Sequence, residues 1–165
     1  MYFDLLKIIT MKKIYLDTSV ISAYWDERKP ERQRVTQIWW KEMHKNYEVY
    51  VSEIVEAEIF STPDEKLRKK LFDLIKNIKS LRINPDVRKL ANEYVRYVIF
   101  DEVSFRDALH IATATINNID IVVSWNFAHI VNYETKRRVN AVNLLNGYRP
   151  IEIYSPFELG GGRYV

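Results

Sequence analysis

Three carboxylic acids stand at points where an apolar segment hands over to the next element. The first is Asp17 in "KIYLDTSVISAYWD", residues 13–26, where the short run Ile14–Leu16 ends in an acid followed by Thr18 and Ser19. The second is Glu58 in "VSEIVEAEIF", residues 51–60. At about 100° per residue of helix, Glu58 projects between Ile54 and Val55, whereas Glu53 and Glu56 fall on roughly the opposite side. The third is Asp107 in "FRDALHIATATIN", in the first turn of the most apolar helical pattern, on one face with His110, Ile111 and Ala114. Each acid also has a plainer use. Asp17 suits a helix N-cap, Glu58 a snorkelling or salt-bridged side chain, and Asp107 the first turn of a helix, where its dipole favours an acid.

Brought together, three such groups repel one another and call for a cation. No lysine or arginine lies at these junctions, since Arg106 points about 100° around the axis from Asp107. Hard oxygen donors with open coordination positions suit Mg²⁺ or Mn²⁺. The chemistry that follows is metal-assisted phosphodiester hydrolysis.

Strands are expected at Ile14–Leu16, Glu48–Val51, Leu81–Ile83, Ile121–Val123 and Ile151–Tyr154. Helical patterns separate them. Glu31–Lys45 spaces Val35, Ile38, Trp39 and Met43 on one face. "STPDEKLRKKLFDLIKNIKS" reads as a helix capped by Thr62, with Pro63 first, Glu65 completing a capping box, and Leu67, Leu71, Leu74, Ile75 and Ile78 as its stripe. "NPDVRKLANEYVRYVIF" repeats the device, with Asn84 as cap, Pro85 first and Val87, Leu90, Ala91, Tyr94, Val95 and Val98 inward. Residues 105–117 form a buried central helix. Ser52 ends a strand and caps a helix. The alternation predicts an α/β domain with a mainly parallel sheet.

Composition sets outer limits. The 165 residues suffice for one domain with a core. Net charge is +3, which permits a nucleic-acid partner without demanding one. Cysteine is absent, which excludes disulfides, thiolate metal sites and cysteine nucleophiles. The four glycines all follow residue 146, so no phosphate-cradling loop follows an early strand. That argues against dinucleotide-binding folds and P-loop nucleotidases. Ser19, two residues after Asp17, argues against the haloacid-dehalogenase type of phosphatase. Residues 1–10 carry Asp4 and lack a signal-peptide pattern, and Met11 opens a normal start, so residues 1–12 read as an extension or alternative start. Residues 13–159 read as one domain and 160–165 as a flexible tail. No apolar run spans a bilayer, and a cytoplasmic protein without a membrane role is expected.

"YLDTSV", "VSEIVEAEI", "DALHIATA" and "IVVSWNFAHI", in this order and spacing, resemble the PIN-domain ribonucleases, and most of all the VapC-like toxins of toxin–antitoxin pairs. "GYRPIEIYSPFEL" resembles the last strand and tail of one subgroup. The resemblance covers about Lys13 to Leu159. It implies a three-layer α/β/α sandwich around a mainly parallel, roughly five-stranded sheet, and an acidic pocket for Mg²⁺ or Mn²⁺. It also implies single-stranded or structured RNA as substrate, leaving a 5′-phosphate and a 3′-hydroxyl. Carried over, Asp17, Glu58 and Asp107 are the metal-holding acids, and Ser19 and Ser124 are hydroxyls that bond near them. After "VVS" the family often has further acids where this chain has Asn126 and His129, a "WNxxH" version. Asn126 is then a fourth catalytic position that orients the ion or water, and His129 a phosphate contact, proton shuttle or packing histidine. His110 reads as core and His44 as surface.

Basic residues that would meet RNA are Arg28, Lys29, Arg32 and Arg34, and, less readily than as a plain charged helix face, Lys136, Arg137 and Arg138. Tyr24, Trp25, Trp39 and Trp40 are expected to leave an exposed aromatic patch. With the resemblance, it implies a homodimer and a small antitoxin partner. Two alternatives remain open at this point: a PIN-like RNA- or protein-binding module without turnover, and a metal-dependent DNA or flap nuclease.

Overall fold

The computed structural model describes residues 11–97, 99–101 and 104–160; Val98, Glu102, Val103 and the terminal segments 1–10 and 161–165 lie outside the described residues. Five strands form one sheet in the order β3-β2-β1-β4-β5, every neighbouring pair parallel. They are β1 Lys12–Leu16, β2 Tyr47–Ser52, β3 Lys79–Leu81, β4 Ile121–Val123 and β5 Glu152–Tyr154. Seven helices connect them among the described residues: α1 Thr18–Ala23, α2 Pro30–Asn46, α3 Glu53–Phe60, α4 Glu65–Ile75, α5 Pro85–Arg96, α6 Phe105–Ile116 and α7 Tyr133–Leu145.

Central strand β1 explains the layering. Ile14, Tyr15 and Leu16 are all fully buried, although successive strand residues face opposite sides. Both faces of the sheet are therefore covered, as a parallel sheet requires. The α/β expectation holds. On one side of the chain's path α1 packs with α2, α3 and α4; α5 packs along α6, and α7 joins α5. Helix α6 is the buried one, with every residue from Ala108 through Thr115 buried.

Several element ends differ from the sequence reading, each for a local reason. Helix α4 starts at Glu65, because Asp64 takes the cap: one carboxylate oxygen accepts from the N–H groups of Lys66 and Leu67 at 2.9 and 3.1 Å. Thr62 and Pro63 lie outside it. Strand β3 ends at Leu81, since Glu53 Oε2 accepts the N–H of Ile83 at 2.9 Å and draws it out of the ladder. Ser52 occupies the N-cap position of α3 but makes no side-chain cap bond. Asn84 caps α5 as expected, through Val87 N at 2.9 Å. Strand β1 already includes Lys12, which the sequence reading assigned to the N-terminal extension.

The expected aromatic patch is packed instead of open. Trp39 is buried, and Tyr24 lies edge-on to both Trp25 and Trp40 at 5.1 and 5.5 Å between centroids. Lys70 covers Trp25 at 4.8 Å. Tyr24, at the C-cap of α1, supplies Trp40 with a neighbour from outside its own helix.

A buried polar knot fastens α5, α6 and α7. Tyr94 Oη donates to Asn143 Oδ1 at 2.5 Å and lies 3.3 Å from Thr115 Oγ1. Removing the donor leaves a buried carbonyl oxygen unpaired. Tyr94→Phe should therefore lower unfolding free energy by about 1–3 kcal/mol, measured by urea denaturation. A loss under about 0.5 kcal/mol would contradict this accounting.

Candidate active site

The strand order places β1 between β2 and β4, so the chain runs outward to one edge and then returns to build the other. In open parallel sheets the crevice beyond the carboxyl ends at that switch is where ligands bind. Asp17 is the first residue past β1, and its N–H donates to Val123 O of β4 at 3.1 Å. The acid therefore sits at the switch itself.

Asp17 is 4% exposed and is also the N-cap of α1. Its Oδ1 accepts from Ser19 N at 2.8 Å and from the Ser19 hydroxyl. Its Oδ2 accepts from Ser124 Oγ at 2.7 Å. Cap and candidate site residue are thus one side chain. Ser19 Oγ in turn accepts Trp125 N at 2.8 Å, and Ser124 Oγ accepts Asn126 N at 2.9 Å. The two serines brace the ends of β1 and β4 against each other around one carboxylate.

Glu58 projects from α3 toward α6, where its Oε1 accepts from His110 Nε2 at 2.8 Å. His110 is 2% exposed, and its Nδ1 lies 2.6 Å from Tyr15 Oη. Tyr15 Oη is also 2.7 Å from Ser52 Oγ. A continuous buried chain, Ser52–Tyr15–His110–Glu58, therefore links β2, β1, α6 and α3. Burial drives the Tyr15 phenol well above its ordinary value, partly offset by the Ser52 bond, and keeps it protonated. If His110 is cationic, Nδ1–H donates to Tyr15 and Tyr15 to Ser52; if neutral, both bonds reverse. Nε2–H faces Glu58 in either state.

The sequence places His110 in the core and no lysine or arginine at these junctions; the structure adds that His110 itself meets the acids. Among the described residues no lysine or arginine is buried, and His110 holds the central position. Burial pulls its pKa down, but the Glu58 hydrogen bond and the charges of Asp17, Glu58 and Asp107 outweigh burial and raise it. Glu58 mirrors this: burial would raise it, while the bond and charge of His110, with Arg106, bring it below the usual range. The signal in the sequence was the spacing of His110 three residues after Asp107 on one helical face.

Asp107 sits in the first turn of α6, its N–H donating to Ser104 O at 3.0 Å. Among the described residues nothing donates a hydrogen bond to its half-buried carboxylate. Burial raises its pKa; the charges of His110 and His129 oppose this, and those of Asp17 and Glu58 add to it. All three acids are therefore within electrostatic reach of one another. As the side chains stand, no three Asp, Glu or His groups among the described residues are placed to hold a metal ion. The donor chemistry nevertheless fits a hard cation, because Asp107 sits within reach of two like charges and, among the described residues, its carboxylate accepts no hydrogen bond.

Asn126 does something other than face the acids with its oxygen. Its Oδ1 accepts His129 N at 3.0 Å, and its main-chain oxygen accepts from Ile130 and Val131 at 2.9 and 2.8 Å. It shapes a tight loop in which Phe127, Ala128 and His129 are exposed. The imidazole of His129 is close enough to lower both Asp107 and Asp101. Of the basic residues, Arg137 and Arg138 pair with Glu134 at 3.0 and 3.1 Å, the charged helix face expected of them. Lys136 lies 5.0 Å over Tyr154. Arg28 pairs with Asp26, whereas Arg32 lies 5.2 Å over the ring of Trp125, beside the site loop.

The family description "PIN domain" matches residues 14–132. No protein of curated function matches the sequence. Among solved structures, VapBC2 from Rickettsia felis, bound to a promoter DNA fragment, is similar at TM-score 0.54 and 14% identity, over 86% of this chain and 98% of that one. FitAcB from Neisseria gonorrhoeae gives 0.52 and 16%, over 87% and 98%. VapC20 from Mycobacterium tuberculosis, a sarcin-ricin loop cleaving toxin, gives 0.51 and 16%, over 71% and 92%. These likenesses establish the fold.

His110 binds its proton more tightly folded than unfolded. Its stabilisation is complete below the ordinary imidazole value of 6.5 and is lost as pH rises through the higher folded value. In chelating buffer, unfolding free energy should decline from about pH 6.5 upward. His110→Gln keeps a donor toward Glu58 but cannot titrate, and should flatten that decline. His44 cannot mimic the effect, because burial lowers its pKa and reverses the sign. Denaturation curves across pH for both proteins check this; identical slopes would contradict it.

Proposed function

The chain belongs to the PIN-domain family, and on that premise we propose that it is a Mg²⁺- or Mn²⁺-dependent endoribonuclease, the toxin of a toxin–antitoxin pair. The observation that carries the reading is Asp107: a half-buried carboxylate without a hydrogen-bond donor among the described residues, under the charges of Asp17 and Glu58. A toxin is favoured by the likeness to VapC20 and to the VapBC2 and FitAcB structures. The same reading takes in a small antitoxin partner, a homodimer and a cytoplasmic setting.

Asp17, Asp107 and Glu58 would hold the cation. A divalent ion there supplies charge neutralisation at the phosphate and acidifies water for in-line attack. The protein's own groups do the positioning. Ser19 and Ser124 fix both oxygens of Asp17, so its direction is set before any substrate arrives. His110 does the same for Glu58. Asp107, bound by nothing among the described residues, is the acid free to turn. His129 stands in solvent near it, available to a phosphate oxygen or a departing hydroxyl.

Asp17→Asn should fold, since its remaining oxygen can still accept from Ser19 and its amide can donate to Ser124 Oγ. Cleavage of an RNA pool in Mn²⁺ should fall by more than about 100-fold, exceeding the usual effect of a group that only supports a ligand. Cleavage at the wild-type rate would contradict the assignment. Matched oligonucleotides test the polymer: faster cutting of DNA would make the protein a DNA or flap nuclease. Failure to bind Mn²⁺ or cut either polymer would make it a binding module.

A further inference from the structure

Phe127 is an exposed aromatic that the fold takes trouble to hold still. It is 48% exposed, on the loop that follows β4, three residues beyond the serine that bonds Asp17. Isolated exposed apolar residues are common and need no explanation. This one differs because its support is built from both ends. Upstream, Trp125 is fixed by its N–H to Ser19 Oγ, by its indole N–H to Thr36 Oγ1 at 2.9 Å, and by Arg32 over its ring. Phe127 stands edge-on to that indole, with centroids 6.0 Å apart and planes at 66°. Downstream, Asn132 Nδ2 donates to the main-chain oxygens of Phe127 and Ala128, both at 3.3 Å, and Thr135 Oγ1 donates to His129 O at 2.8 Å. The Asn126 turn closes the loop between them.

We propose that Phe127 is a base-stacking platform that takes one unpaired nucleobase of an RNA strand while the adjoining phosphodiester reaches the acids. The proposal rests on the nuclease reading and narrows its substrate to single-stranded segments. Three features favour a nucleobase. An exposed ring whose loop neighbours are Asn126, Ala128 and His129, not further large apolar side chains, matches one planar ligand better than a broad apolar partner surface. Arg32, which reaches from α2 over the Trp125 ring, and His129, two residues beyond Phe127 in the exposed loop, are cationic or polar groups suited to the phosphates of such a strand. The rigid Trp125 beneath means that little ordering remains to be done when a base arrives. In a duplex both faces of each base are already stacked, so a paired strand gains nothing from Phe127.

The test uses the full chain in EDTA, where cutting is blocked, with a single-stranded RNA oligonucleotide carrying one 2-aminopurine, whose fluorescence is quenched by stacking. Wild type should quench it on binding. Phe127→Leu, which keeps apolar bulk without a ring, should bind roughly 5- to 150-fold more weakly without quenching, and Phe127→Tyr should behave as wild type. The same strand in a duplex should bind without quenching. Quenching and affinity unchanged in Phe127→Leu, or no quenching with wild type, would overturn the platform; Phe127 would then belong to a protein interface or to none. Because binding is read without metal, quenching by a protein that never cuts RNA in Mn²⁺ would sustain the platform and remove the nuclease reading alone.

Discussion

Repulsion among carboxylates is the constraint around which this molecule is arranged. Asp17, Glu58 and Asp107 come from three elements to one edge of a parallel sheet, and no buried lysine or arginine among the described residues stands between them. What stands there is an imidazole. His110 meets Glu58 directly and feels the charge of the other two. The buried histidine compensates one acid through its hydrogen bond; Asp107 keeps like charges as neighbours and, among the described residues, no hydrogen-bond donor. Like charges raise the cost of ionising Asp107, a cost that protons or cations would relieve.

The fold makes that arrangement rigid where it must be. Both strands flanking the switch point end in residues that meet through Asp17: β1 by Asp17 and Ser19, β4 by Ser124 and Trp125. Trp125 extends the brace to α2 through Thr36. The Ser52–Tyr15–His110–Glu58 chain extends it across β2, α6 and α3. Almost every polar group near the acids is thus tied to another element, and the directions of Asp17 and Glu58 are fixed by the core. Asp107 and the exposed loop with Phe127 and His129 are the parts left facing outward.

Much of this was legible in the sequence because it rests on local rules. An acid ending an apolar run, a Pro after an Asn cap, and a helix apolar all round are each read within a few residues, and β1, α5 and α6 followed. Helical angle alone separated Glu58 from Glu53 and Glu56. What escaped depends on partners remote in the chain. His110 lies 52 residues from Glu58 and 95 from Tyr15, so periodicity placed it inside without revealing that it is the counter-group to the acids. Glu53 shortens β3 across 30 residues. The cap of α4 was misjudged for a different reason: two good caps, Thr62 and Asp64, compete within three residues, and the acid that can take two N–H groups prevails. Asn126, expected to orient the ion or water, uses its side-chain oxygen to accept the His129 N–H within its own turn, a bond that sequence spacing alone does not reveal.

Anomalous scattering from crystals soaked in Mn²⁺ tests the central claim most directly. The account predicts one strong peak bonded to oxygens of Asp17 and Asp107, with the Asp107 side chain turned toward it and Glu58 still held by His110. A peak elsewhere, or none with the three carboxylates unmoved, would contradict it.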